Sequence, residues 1–175
     1  MIKKYSFLIL LIFGFCAFGQ ESVNIFDVAR SGSVSDATSL FKKNPKIVNA
    51  INDAGYSPLI LACYRGNTKV AEFLINNGAD LNYNNSMGTA LMAAVVKNNV
   101  EIANLLLDKN VDVEQTDANG TTALIYASMF KNYEITQLLI KAKANYNNKD
   151  NRGNSALDYA ILADDDKLIQ ILKTK

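Results

Sequence analysis

The sequence predicts an all-α solenoid of about five helix-turn-helix units joined by short projecting turns. Three observations carry that prediction. First, the chain matches itself at nearly constant spacing: Gly55-Tyr-Ser-Pro-Leu59, Met87-Gly-Thr-Ala-Leu91, Gly120-Thr-Thr-Ala-Leu124 and Gly153-Asn-Ser-Ala-Leu157 recur at steps of 32, 33 and 33 residues, counted from Ser57 to Thr89, Thr122 and Ser155. Self-similarity at such a period marks a stack of like supersecondary units. Second, each match pairs a hydroxyl residue with Pro or Ala, as Ser57/Pro58, Thr89/Ala90, Thr122/Ala123 and Ser155/Ala156; these are the residues favoured at a helix N-cap and its first helical position. Third, each unit continues into a second apolar segment at helical spacing: Val70, Phe73, Leu74; Ile102, Leu105, Leu106; Ile135, Leu138, Leu139; Leu168, Ile171, Leu172. One helix pair cannot bury such a face alone, so neighbouring units must share a continuous core.

Taken from the start, residues 1–19 are set apart. Met1-Ile-Lys-Lys4 is positive and Tyr5 to Phe18 is an apolar run broken only by Ser6 and Gly14, the layout of a secretory signal peptide. The run is shorter than the ~20 residues a membrane-crossing helix needs. Ala17 and Gly19 supply the small residues a signal peptidase reads, so cleavage is expected between Gly19 and Gln20, leaving no stable membrane anchor. Phe15 before Cys16 argues against lipoprotein processing.

Residues 20–51 form a worn first unit that serves as an N-terminal cap. Ile25, Val28 and Ala29 fall on its first helix, Val34, Leu40 and Phe41 on its second, with Gly32 between. Pro45 is read as loop because proline disrupts a helix interior. Four fuller units are expected at 52–83, 84–116, 117–149 and 150–175. Ala62, Ala94, Ala127 and Ala160 let their first helices approach closely, and Cys63 fits as one more small core residue. Lys173, Thr174 and Lys175 end the last helix in polar residues, as an exposed terminal unit requires.

Gly55-Tyr-Ser-Pro-Leu59, followed in register by Leu61-Ala-Cys-Tyr-Arg-Gly66 and Phe73-Leu-Ile-Asn-Asn-Gly-Ala-Asp-Leu-Asn82, resembles the ankyrin repeat family, whose motif runs G-x-T-P-L-H. The likeness is strong from Asn52 to Lys175 and weak from Gln20 to Ile51, and it extends to exported bacterial ankyrin repeat proteins. It departs from the family at the histidine that closes T-P-L-H: Ile60, Met92, Ile125 and Asp158 stand there, so the turns must lean on apolar packing. A second departure lies at the helix ends, where glycine best adopts a left-handed conformation. Gly66 and Gly78 supply it in one unit, whereas later units place Asn98, Asn110, Lys131, Lys143 and Asp164 there. A lysine should cost roughly 1 kcal/mol.

Composition narrows the chemistry. The chain has no histidine, which removes the commonest general base and metal ligand. Without Lys3 and Lys4, 16 basic residues face 17 acidic ones, leaving no net-charge footprint for nucleic acid. Without Cys16, Cys63 is the only thiol, so no internal disulfide is expected. Asp164-Asp-Asp166 suits a helix N-terminus, and Asn148-Lys-Asp-Asn-Arg-Gly153 fails as a calcium loop because Arg152 takes a ligand position. No nucleotide-binding glycine motif occurs. The expectation is a chain without enzymatic activity, metal or cofactor.

What the resemblance implies instead is a protein partner, held by turn tips and a concave first-helix face. Position by position this points to Tyr56, Gly88, Thr121 and Asn154 on the turns. On the helices it points to Tyr64/Arg65, Val96/Lys97, Met129/Phe130 and Leu162/Ala163. Tyr64, Val96, Met129 and Leu162 form an apolar stripe edged by Arg65 and Lys97, similar to a binding patch with a polar rim. The same side chains alternatively lean on the neighbouring unit and are largely buried. The expected role is a monomeric protein-interaction module in the periplasm or outside the cell; a secreted effector, or an inhibitor or immunity-type protein acting on a target enzyme, is the alternative.

Overall fold

The computed structural model describes residues 23–174; the expected signal peptide and its cleavage point at Gly19 and Gln20 lie outside the described residues. Among the described residues ten α-helices follow one another as five pairs: α1 (Ile25–Ser31) and α2 (Val34–Lys43), α3 (Pro58–Arg65) and α4 (Thr68–Asn76), α5 (Ala90–Val96) and α6 (Val100–Leu107), α7 (Ala123–Met129) and α8 (Tyr133–Lys141), α9 (Ala156–Leu162) and α10 (Asp166–Lys173). The first helices of successive pairs pack on one another as one layer, and the second helices pack as the other. Among the described residues no strand forms; isolated bridges such as Thr116 with Thr122 and Lys149 with Ser155 close the turns between pairs.

The caps explain where each first helix begins. Hydroxyls of Ser57, Thr89, Thr122 and Ser155 accept the backbone N–H groups of Ile60, Met92, Ile125 and Asp158, satisfying donors that have no partner inside the helix. The slot where related turns carry histidine is therefore filled in two ways. Ile60, Met92 and Ile125 are buried, and the Asp158 carboxylate accepts the Ser155 N–H in a capping box.

Pro45 corrects the sequence expectation. It opens a short 3-10 helix, Pro45–Asn49, whose Asn44 cap accepts from the Lys46 N–H. The penalty for proline applies inside a helix; at the first position no N–H is needed and the fixed φ is favourable.

Ala62, Ala94, Ala127 and Ala160 are fully buried and let the first-helix layer close. Cys63, Val95 and Ser128 share one column of that layer and are buried too, yet the Ser128 hydroxyl has no hydrogen-bond partner. Burial pushes the Cys63 thiol far up. The left-handed positions fall where the helix ends require: Gly66 and Gly78 at φ 71° and 84°, then Asn98, Asn110, Lys131, Lys143 and Asp164 at 51°, 55°, 54°, 66° and 51°.

Asparagines tie one pair to the next as well as shaping turns. Asn67 donates to the carbonyls of Val28 and Gly32 at 3.2 and 3.0 Å, and Asn132 donates to that of Val95 at 2.7 Å. On the turn side, Asn49 accepts from the Asp80 N–H and Asn82 from that of Asp112. These bonds run from one unit to the next at helix ends and turns, so the stack is held by side-chain amides beside its apolar core.

Candidate partner-binding face

One position per unit decides the relief of the first-helix layer. Leu61, Ala93, Tyr126 and Tyr159 occupy it in α3, α5, α7 and α9. Ala93 is the small member, and the missing volume between Leu61 and Tyr126 opens a cleft of about 440 Å³ whose floor includes Leu61 and Ala93. A site of that size lies within the range of pockets that take a ligand or an anchoring side chain.

Aromatic residues wall the cleft. Tyr126 on α7 and Phe130, the residue that caps its C-terminus, lie one turn apart and stack with ring centroids 6.1 Å apart and planes 3° from parallel. Tyr64, at the end of α3, forms the facing wall, and the Lys97 ammonium stands 4.2 Å from its ring centroid, a cation–π contact. Tyr56 and Met87 close the turn side. Tyr64 is 45% exposed and Phe130 50%, so large apolar surface faces solvent where a monomer gains nothing from exposing it.

Polar bonds fix this wall from behind. The Tyr126 hydroxyl donates to Asp117 at 2.6 Å, and Asp117 also accepts from the N–H groups of Asn119 and Thr121. Burial pushes the Asp117 carboxyl up, but the hydrogen bonds from Tyr126, Thr121 and Asn119 together outweigh it and hold the carboxyl below the ordinary range. Burial first, and the Asp117 carboxylate second, push the Tyr126 phenol up to about 12. Tyr159 repeats the bond to Asp150 at 2.6 Å. Among the described residues no group of three or more His, Cys, Asp or Glu side chains is placed to hold a metal ion. The arrangement offers an apolar surface with a charged rim.

The family description "Ankyrin repeats (3 copies)" matches residues 25–117 and again residues 110–175. The chain belongs to the ankyrin repeat family. It is similar to an ankyrin repeat protein of fowlpox virus (strain NVSL), 36% identical over 107 residues that span 60% of this chain and 24% of that protein. It is 33% identical over 102 residues to the ankyrin repeat and SAM domain-containing protein 6 of Rattus norvegicus, spanning 57% of this chain and 12% of that one. An ankyrin repeat-containing protein of Treponema pallidum (strain Nichols) is 33% identical over 102 residues, 58% of this chain and 34% of its own. The chain thus spans about a third or less of these relatives, and what it shares with them is the repeat array. Ankyrin repeats are a protein-interaction architecture, and the chain carries that module.

On the ankyrin stack, Tyr56, Tyr64, Arg65, Val96 and Phe130 come together around the one cleft. Lys97 caps the Tyr64 ring at its rim. Met129 faces a smaller cleft of about 210 Å³ toward Tyr159, and Leu162 stands 73% exposed on the last unit. Thr121 is only 6% exposed, its N–H bonded to Asp117, so it presents little surface. Gly88 is buried and Asn154 half-buried. Burial under the next unit, the other reading of the stripe, describes Val96 in part and does not describe Tyr64, Met129 or Leu162.

Arg30, Met87, Ala93 and Tyr126 also line the cleft, and reading single motifs passes over them. The signal that finds three of them is the comparison of equivalent positions across units. A small Ala93 between Leu61 and Tyr126 marks a gap that no single repeat reveals, and Met87 stands one residue before Gly88 at the adjoining turn.

Proposed function

We propose that this ankyrin stack is a non-enzymatic module that holds a partner protein on its concave first-helix face, with the cleft between Tyr64 and Phe130 receiving the partner's anchoring side chains. The exposed, aromatic-walled cleft carries this reading, because large apolar side chains with a polar rim concentrate binding energy in known interfaces. The absence of histidine from the sequence supports a role in binding over catalysis. The apolar, positively flanked segment at residues 1–19 supports export to the periplasm or outside the cell, and a solenoid with polar ends supports a monomer.

Affinity capture with the chain starting at Gln20, from extract of the exported compartment, tests both parts. The Tyr64→Ala/Phe130→Ala double variant should lose the partner that the unaltered chain recovers. Ala93→Leu, which restores the side chain found one unit earlier and fills the cleft floor, should lose it too. Unchanged capture by both variants sinks the proposal for this face. Cell fractionation that finds the protein with Met1 intact in the cytoplasm sinks the export reading.

A further inference from the structure

The charged residues that line the cleft are of one sign. Its lining residues include Arg30 and Arg65 and no carboxylate, and Lys97 stands over the Tyr64 wall. Arg30 bonds Asp27 at 2.9 Å, whereas among the described residues Arg65 and Lys97 form no ion pair. The chain as a whole is nearly balanced, with 18 basic and 17 acidic residues, so the surplus is local. Carboxylates nearby in the fold are already engaged: Asp27 by Arg30, Asp117 by Tyr126 and two backbone N–H groups, and Asp150 by Tyr159 and its own turn.

We infer that the cleft takes an acidic peptide segment of the partner, one that sets a bulky apolar side chain between carboxylates. This rests on the concave-face reading above and adds the partner's chemistry to it. The apolar side chain enters between Tyr64 and Phe130, over the gap at Ala93. Flanking carboxylates then meet Arg65 and the Lys97 ammonium at the rim, where opposite charges steer the encounter and like charges exclude it. Lys97 serves both parts, since the ammonium that covers the Tyr64 ring also lies beside the entry. A basic segment with the same apolar core would place like charges against both cations.

Calorimetric titration of the chain starting at Gln20 with two unlabelled synthetic peptides tests this. Both carry a central Leu-Phe pair, flanked in one by aspartates and in the other by lysines. At low salt the acidic peptide should bind at least about tenfold more tightly, and the preference should shrink as salt rises. Arg65→Gln/Lys97→Gln should abolish the preference, and Arg65→Glu/Lys97→Glu should reverse it, with unchanged helical circular dichroism in each. Equal binding of the two peptides, tighter binding of the basic one, or binding of neither overturns the inference. If the Tyr64→Ala/Phe130→Ala variant still loses the captured partner in those cases, the docking face stands and only its charge class is discarded. Unchanged capture discards both.

Discussion

The hydroxyl of Tyr126 donates to Asp117 across 2.6 Å within one repeat, and that bond orients the ring that walls the cleft. Asp117 is held below the ordinary carboxylate range in the fold. Its contribution to stability is therefore present above the unfolded value of about 3.9 and is lost as pH falls through the folded value. For the Tyr126 phenol, pushed up to about 12, the sign is opposite: its contribution is present below the unfolded value of about 10 and is lost as pH rises through about 12. Tyr126→Phe should lower stability at neutral pH by about 1–3 kcal/mol. It should also flatten the loss below about pH 4, read from denaturation midpoints across pH. An unaltered acid profile would show that the bond does not act in solution.

Lys143 sits in the left-handed region at φ 66° with an exposed side chain. Lys143→Gly should raise stability by up to about 1 kcal/mol, seen as a higher denaturant midpoint. Lys131 has the same backbone problem at φ 54°, but its ammonium lies 3.6 Å from the Asp165 carboxylate. Lys131→Gly should therefore gain less. A larger gain at Lys131 than at Lys143 contradicts this account.

Asn132 is buried and donates to the Val95 carbonyl at 2.7 Å, joining the unit of α7 and α8 to the one before it. Asn132→Ala removes that bond while the Val95 carbonyl keeps the Asn98 N–H at 2.8 Å, and it should cost about 0.5–1.5 kcal/mol. Because a solenoid's stability is a sum over units and their junctions, the denaturation transition should also broaden. A sharp transition at the original midpoint would assign the junction to apolar packing alone.

Much of this was legible before the fold was seen. The helix starts were written in Ser57, Thr89, Thr122 and Ser155, because capping is local chemistry and one hydroxyl suffices to mark it. The left-handed ends at Asn98, Lys131 and Asp164 followed from repeat register, which holds whatever residue fills the position. Thr121 reads differently in the fold because its turn folds back on Asp117, a contact set by geometry five residues deep and not by residue type. The cleft itself was half legible. Tyr64 and Phe130 stand out as large apolar residues at helix ends, but the gap between them is set by what Ala93 lacks, and a missing side chain gives no motif.

Ser128 offers a direct check of core packing. It is 1% exposed with an unbonded hydroxyl, in a column that holds Cys63 and Val95 in earlier units. Ser128→Ala should raise stability by about 1 kcal/mol, since an unpaired buried hydroxyl costs more than the small loss of volume. A lower midpoint would reveal a partner for that hydroxyl.

Cys63 is fully buried with its thiol pushed well above the ordinary value. A thiol-reactive probe should leave the peptide containing Cys63 unmodified in native buffer and modify it once denaturant is added, as read by mass spectrometry. Modification of the folded protein would contradict the buried assignment.

The order of the helix-end residues has a consequence for how the molecule comes apart. Glycines close both helices of the α3/α4 unit, asparagines those of the next, and lysines those of the α7/α8 unit, so the cost of holding each end left-handed climbs along the chain. In an array where each unit touches only its neighbours, opening should then start at the C-terminal end and travel backward. Amide hydrogens of α9 and α10 should exchange before those of α3 and α5, which carry Tyr64 and the gap at Ala93. The first-built side of the cleft should thus persist in partly opened molecules, and α7, bearing Tyr126 with Phe130 at its C-cap, becomes the wall whose closure sets whether the cleft is complete.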